Sequence, residues 1–343
     1  MNPRVVTFGE IMLRLSPPGF ERLFQSPVLS ATFGGGEANV AASLAHFRLD
    51  SYYVTRLPAH AIGDAAIRAL RAEGVRTDFV VRGGNRVGIY FAETGASQRA
   101  STVIYDRAHS AISEMAADAV AWDRVMEGAA WFHVTGITPA LGEIAAGATK
   151  AAIDAAKRAG ARVSVDLNYR KKLWTEAQAQ AVMRPLMSSV DVVIANEEDL
   201  QSVLGVRVAE TDVTTGTLNV DAYREAAGWV SAKLGPSLVA ITLRESHSAS
   251  DNGWSALLWD GKGKTLHQSQ RYDVRLVDRI GGGDSFAAGL IYALVTGRSH
   301  EDALKFAVAA SALKQTIPGD FNRVTVAEVD GLARGDASGR VQR

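Results

Sequence analysis

Apolar positions along the chain follow two periods in turn. Short runs at Val5 to Phe8, Ser51 to Thr55, Trp131 to Val134, Arg162 to Asp166, Val190 to Ala195 and Leu238 to Thr242 have the length and composition of strands. Between them, apolar residues recur at helical spacing over Glu37 to Phe47, Ala61 to Glu73 and Gly142 to Ala159, with Gly74 and Gly160 closing the last two. Strand and helix in alternation predict an α/β fold, a doubly wound, mainly parallel sheet flanked by helices. No linker or low-complexity tract divides residues 1–343, which read as a single domain.

One section breaks the rhythm. Val87 to Glu93 and Ser101 to Tyr105 read as strands joined by the turn Thr94, Gly95, Ala96, Ser97, with no helix between them. With Leu13 to Thr32 they predict a small β-sheet lid, discontinuous in sequence and drawn from about residues 10–34 and 86–108. In open α/β sheets ligands bind beyond the carboxyl ends of the strands, so such a lid can close over that edge and exclude water. Val206 to Asn219, rich in threonine, reads as a surface insertion.

Charge and composition narrow the function. Lys plus Arg equals Asp plus Glu at 37 each, so no charge excess points to nucleic acid or to an anionic membrane. The absence of cysteine excludes disulfides, zinc thiolates and thiol catalysis, and fits a reducing compartment, the cytoplasm by default. Met1 to Gly9 reads as a first strand rather than a signal peptide, and no apolar stretch approaches the roughly 20 residues that span a bilayer. The histidines show no metal-ligand spacing, and no Ser-His-Asp arrangement is visible.

The strongest chemical signal is near the C-terminus. Tyr272 to Val277 reads as a strand and Ser285 to Val295 as a helix closed by Gly297, which makes Asp278 to Asp284 a strand-to-helix turn. Gly281, Gly282 and Gly283 let the backbone approach a ligand, and N–H groups at a helix start suit phosphate oxygens. Asp284 stands where a helix N-terminus favours a carboxylate, the form a general base needs. Equally, Asp284 is a helix cap and the glycines merely turn the chain. The run lacks the lysine of a Walker motif, and no G-x-G-x-x-G follows an early strand.

Asp278 to Phe286 resembles the C-terminal signature of the ribokinase-like (PfkB) carbohydrate kinases, and Gly34, Gly35, Gly36, Glu37, Ala38, Asn39 resembles their N-terminal glycine motif. Order and separation match over nearly the whole chain. Within that family Gly88 to Tyr90, Ile104 to Arg107, Gly136 to Ala140 and Asp166 to Arg170 look most like 2-keto-3-deoxygluconate kinases. The resemblance implies ATP-dependent phosphorylation of the terminal hydroxyl of a keto-deoxy sugar acid to the 6-phosphate, with Mg²⁺. It implies Asp284 as base and the amides of Gly281, Gly282 and Gly283 as anion hole. It places substrate at Gly35, Asn39, Tyr90, Tyr105, Arg107, Ile137, Arg170 and Asp320, the two arginines suiting a carboxylate. Nucleotide contacts fall on Asn196, Thr242, Arg244 and Gly282, and metal contacts through water on Asp199 and Glu198. Asp199 stands where the family's N-x-x-E motif has glutamate, Arg244 replaces a glycine-bearing sequence, and Arg279 a small polar residue. A monovalent cation near Asp278, held by backbone carbonyls, is a further implied cofactor. Edge strands in a lid are unstable alone and often pair with another chain, so a homo-oligomer, with a dimer through the lids, is the expected assembly.

Without the resemblance, the arginines read as surface charge, the tyrosines and Ile137 as packing, and Asn39 and Asp320 as turn residues. Rival functions are a kinase of a neutral sugar such as fructose, and a catalytically silent sugar- or nucleotide-binding regulator.

Overall fold

A computed structural model describes residues 2–208, 219–336 and 339. The chain opens with β1 (Arg4–Phe8), β2 (Met12–Ser16), β3 (Ser30–Gly34), α1 (Gly36–His46), β4 (Asp50–Leu57), α2 (Ala61–Ala72) and β5 (Val80–Arg82). There follow β6 (Ile89–Glu93), β7 (Thr102–Asp106), α3 (Trp122–Met126), β8 (Ala129–Thr135), α4 (Glu143–Arg158), β9 (Arg162–Asp166) and α5 (Glu176–Leu186). Next come β10 (Val192–Ala195), α6 (Glu197–Leu204), α7 (Val220–Leu234), β11 (Leu238–Ser246), β12 (Asp251–Asp260), β13 (Thr265–Gln268) and β14 (Tyr272–Arg275). Helices α8 (Gly282–Val295), α9 (His300–Lys314) and α10 (Val326–Ala333) complete it.

The main sheet has 10 strands in the order β13-β12-β11-β10-β9-β8-β1-β4-β5, with β14 also paired to β12. From β11 to β5 neighbours run parallel, and β12 pairs antiparallel with β11, β13 and β14. Successive residues of each strand point to opposite faces, and both faces are covered. Val6, Phe8, Val193 and Ile241 pack toward α4, α5, α6 and α7. Val5, Val192, Ile194 and Ala240 pack toward α1, α8, α9 and α10. That is the doubly wound arrangement the alternating periods predict. Among the described residues no helix is long and apolar enough to cross a membrane.

The second sheet is separate, four-stranded, and ordered β3-β2-β6-β7. It forms from the segments whose strands lack an intervening helix. The hairpin β6–β7 is antiparallel, and Ala96 and Arg99 exchange two backbone hydrogen bonds at its tip.

The expected elements appear with ends shifted by a few residues, and the sequence assigned nothing to Asp251–Asp260. That strand, β12, is buried from Asn252 to Trp259, so it shows no alternation, and Asn252, Gly253 and Ser255 interrupt its apolar run. The expected insertion Val206 to Asn219 lies mostly outside the described residues.

Candidate active site

Strands β8, β9 and β10 end side by side at Thr135, Asp166 and Ala195, at the carboxyl edge of the parallel sheet, where β11 leaves its parallel pairing after Ile241 and runs on beside β12. A cleft of about 570 Å³ opens there, between this edge, the start of α8 and the small sheet. Its walls bring together Gly35, Asn39, Tyr90, Tyr105, Arg107, Ile137, Arg170, Asn196, Glu198, Asp199, Thr242, Arg244, Gly281, Gly283, Asp284 and Asp320. Of the expected residues only Gly282 is missing: it is buried, and a Cβ there would meet the Gln315 side chain at 3.1 Å.

Helix α8 begins through Gly281, whose φ of 84° and whose place against the Asp320 carbonyl, 2.2 Å from a built Cβ, leave no alternative to glycine. Asp284 does not cap the helix, which has Gly281 as N-cap and no side-chain cap bond. Its Oδ2 instead accepts from Asn39 Nδ2 at 2.6 Å. Burial pushes the Asp284 pKa up to about 6; the Asn39 hydrogen bond opposes this and the Asp320 charge adds to it. The Gly282 amide donates to the Arg279 carbonyl at 3.2 Å and is spent there. The amides of Gly283 and Asp284, next in the helix start, have no acceptor among the described residues.

The N-terminal glycine motif is built to aim Asn39. The Gly35 amide donates to Asn39 Oδ1 at 3.2 Å, and Asn39 N donates to the Gly35 carbonyl at 2.7 Å. A Cβ on Gly35 would lie 2.0 Å from the Glu10 carbonyl oxygen, so the glycine is required by main-chain packing as well as by access. Glu37, missed by sequence reasoning, locks the motif onto β8. Its Oε1 accepts from Thr135 N at 2.8 Å, Thr135 Oγ1 at 2.8 Å and Thr138 Oγ1 at 2.7 Å. Burial raises its pKa to about 7, with these hydrogen bonds opposing.

The two arginines expected to meet substrate differ. Arg107 Nε donates to Glu10 Oε2 at 2.8 Å and Nη2 reaches the same oxygen, so a buried carboxylate neutralises it. Arg170 is exposed, donates only to the Tyr169 carbonyl at 2.9 Å, and makes no salt bridge among the described residues. Tyr105 lies 5.9 Å from Tyr90, ring to ring. Ile137 is half-buried on the cleft wall.

Asp320 is more occupied than its expected role implies. Oδ2 accepts from Tyr90 OH at 2.6 Å and Oδ1 from Arg14 Nη1 at 2.8 Å, while Arg14 Nη2 pairs with Asp278 at 2.7 Å. Arg14 is on β2 and Tyr90 on β6, so the pairs tie the small sheet to the loops before α8 and after α9. The sequence signal for Arg14 is a charge within the apolar strand Met12–Ser16.

Asp199 is likewise spent: Oδ1 accepts from Tyr169 N at 2.8 Å and Oδ2 from Asn196 N at 3.0 Å, closing a capping box on α6. Asn196 Oδ1 accepts from Asp199 N in return, and Thr242 Oγ1 donates to the Ala195 carbonyl at 3.4 Å. Glu198 is exposed at the cleft without a salt bridge among the described residues. Burial raises the Asp166 pKa well above the carboxylate range, and the charges of Asp199 and Asp284 raise it further. Among the described residues no group of three or more His, Cys, Asp or Glu forms a metal cage. A crowded carboxylate edge beside free Glu198 therefore fits a divalent ion carried in on phosphates and met through water, rather than a resident one. Arg244 and Arg279 both line the cleft without a carboxylate partner among the described residues, and Arg279 Nε is buried without an acceptor. Burial, and then the Arg244 charge, lower the Arg279 pKa, so the pair suits a multiply charged anion.

A family model described as pfkB family carbohydrate kinase matches residues 2–322. A 2-dehydro-3-deoxygalactonokinase of Haloferax volcanii is 33% identical over 339 residues, 99% of each chain. The crystal structure of a 2-dehydro-3-deoxygluconokinase from Thermotoga maritima superposes with a TM-score of 0.93 at 50% identity, covering 97% of this chain and 100% of that one. A fructokinase from Xylella fastidiosa, solved with bound ATP, shares the fold at 20% identity and a TM-score of 0.75, over 98% of this chain and 100% of that one.

Proposed function

This chain belongs to the pfkB family of carbohydrate kinases, and on that premise we propose that it phosphorylates 2-keto-3-deoxygluconate, or a close keto-deoxy sugar acid, at its terminal hydroxyl. The product is the 6-phosphate. The observation that carries the reading is Asp284, held by Asn39 at 2.6 Å beside the helix start, with Arg170, which makes no salt bridge among the described residues, on the wall of the same cleft.

The terminal hydroxyl oxygen attacks the γ-phosphorus of ATP while its proton passes to Asp284. The bond from that phosphorus to the bridging oxygen breaks, and its electron pair leaves with ADP. The free amides at the start of α8 meet charge on the transferring phosphoryl group. Arg244, with Arg279 beside it, takes the nucleotide phosphates, and Asn196 and Thr242 line the nucleotide end. Mg²⁺, when bound, neutralises phosphate charge, with Glu198 and Asp166 as the acids that hold its waters. Arg170 takes the substrate carboxylate, and Tyr90, Tyr105, Arg107, Ile137 and Asp320 shape the sugar pocket. The small sheet acts as a lid. Its exposed apolar side chains, Phe20, Phe24, Val28 and Ile104, support pairing of two lids in a homodimer, which sedimentation tests.

Glu10 neutralising Arg107 is the one observation that favours a neutral sugar instead. Coupled ADP release across 2-keto-3-deoxygluconate, its galactonate epimer, gluconate and fructose separates the readings. The acid reading expects one of the keto-deoxy acids to give the highest kcat/KM. Fructose turned over as well as either of them would overturn it.

A further inference from the structure

The carbonyls expected to hold a monovalent cation near Asp278 already hold a charge of the protein's own. Lys314, the last residue of α9, is 0% exposed. Its Nζ donates to the Asp278 carbonyl at 3.1 Å and to the Ile317 carbonyl at 3.2 Å. Among the described residues it makes no salt bridge. Main-chain carbonyl dipoles from two loops thus coordinate a buried ammonium, as they would an alkali ion of similar size. Burial lowers the lysine pKa, and the nearby Asp278 and Asp320 charges act against that, favouring the ammonium form.

The place of this charge is specific. A Cβ built on Gly281 would lie 3.2 Å from Lys314 Cε, so the lysine stalk runs beneath the glycine turn. One loop held by the ammonium leads from Asp278 into α8 and Asp284; the other carries Ile317 to Asp320. The same two segments are laced by the amides of Val277 and Asp278, which donate to the Gln315 carbonyl at 2.9 Å and 3.2 Å, and by Gly319 N, which donates to Asp278 Oδ2 at 3.1 Å. Lys314 Nζ stands where the Asp278 and Ile317 carbonyls converge.

We propose that Lys314 is a tethered monovalent cation: its ammonium holds the two loops together and supplies positive charge beneath the helix start, so that turnover needs no potassium or ammonium ion. This is a positioning role for the reaction proposed above, on which only the turnover readout rests.

The test compares wild type with Lys314→Ala in potassium, ammonium and tetramethylammonium chloride, reading both kcat and melting temperature. Wild type should show the same kcat and melting temperature in all three salts. In tetramethylammonium, Lys314→Ala should lose roughly a hundredfold in kcat, as on losing one preorganised charge-stabilising group. Potassium or ammonium should restore part of that saturably and raise the variant's melting temperature, because the vacated carbonyls then take the ion. Wild type activated severalfold by potassium would overturn the proposal, as would a folded variant that keeps full kcat in tetramethylammonium or that no small cation restores. If Lys314→Ala does not fold, the salt dependence of wild type decides. Absence of turnover on every sugar would refute the kinase reading instead, and the melting comparison would still test the tethered cation.

Discussion

Removing the Asn39 amide should move the acid limb of the pH–rate profile upward. As the proposed base, Asp284 must be ionised to accept the hydroxyl proton, and its pKa is raised from 3.8 to about 6, chiefly by burial. Asn39 Nδ2 is the strongest group acting the other way, through its 2.6 Å hydrogen bond. A hydrogen bond to a charged group contributes roughly 1.5–3 kcal/mol. At about 1.4 kcal/mol per pKa unit, Asn39→Ala should raise the inflection by about 1 to 2 units. At pH 7 the wild-type carboxylate is then about nine-tenths ionised and the variant's half or less. The assay is kcat/KM for the sugar acid at saturating ATP from pH 5 to 9, with thermal melting as a check on folding. Asn39→Asp, which sets a second carboxylate beside Asp284, should push the limb at least as far. An inflection in Asn39→Ala at or below the wild-type value would refute the reasoning.

Asp284→Asn should cost about 10²–10⁴-fold in kcat yet melt higher at pH 8. An acid whose folded pKa is raised is stabilising when protonated, and that contribution is lost as pH rises through about 6. The rise from 3.8 corresponds to an upper bound of about 3 kcal/mol. Equal or lower melting at pH 8 would contradict the burial argument. Glu37 follows the same sign: its pKa rises from 4.5 to about 7, so wild type should lose up to about 3 kcal/mol between those pH values. Glu37→Gln should therefore match wild type near pH 4.5 and exceed it at pH 8 by denaturant melting. Arg170→Met should raise KM for the sugar acid by roughly 10- to 100-fold, the loss of one charge-assisted bond, without affecting a neutral sugar. Arg107→Met should instead destabilise the fold by roughly 3–5 kcal/mol, because it leaves Glu10 buried and unpaired, and Glu10→Gln in the same chain should recover part of that.

Why some of this was legible in the sequence and some was not follows from how each residue acts. Period and glycine punctuation report which face of an element is buried, so the parallel strands and their helices are readable locally. The Gly281–Asp284 turn is readable too, because a helix start advertises itself. Strand β12 hides because both its faces are covered and polar residues break its run. Partnerships across the chain are not local properties. Nothing beside Arg107 announces that Glu10 neutralises it, and nothing beside Asp320 announces Tyr90 and Arg14. Asp199 matched a metal motif by spacing, but its two oxygens are used by the amides of Asn196 and Tyr169. Two missed residues did carry a warning in their sequence context: Arg14, a charge inside the apolar strand Met12–Ser16, and Lys314, which ends the mostly apolar second half of α9.

The cleft's electrostatics argue that its residues are arranged for ligands rather than for stability. Asp166, Asp199 and Asp284 all have pKa values raised by burial, and Asp166 feels the other two. Such crowding is costly in the free protein and is relieved when a divalent ion arrives with the nucleotide. Arg170, whose charge reaches Asp166, Asp199 and Asp284, and the neighbouring Arg244 and Arg279 make no salt bridge among the described residues and are open to incoming anions. An ATP-dependent kinase of a sugar acid brings both: a metal-bearing polyphosphate and a carboxylate. A neutral sugar would satisfy the first set and leave Arg170 unmatched, so the Arg170→Met comparison between acid and neutral substrates is where the proposed specificity is most directly exposed to failure.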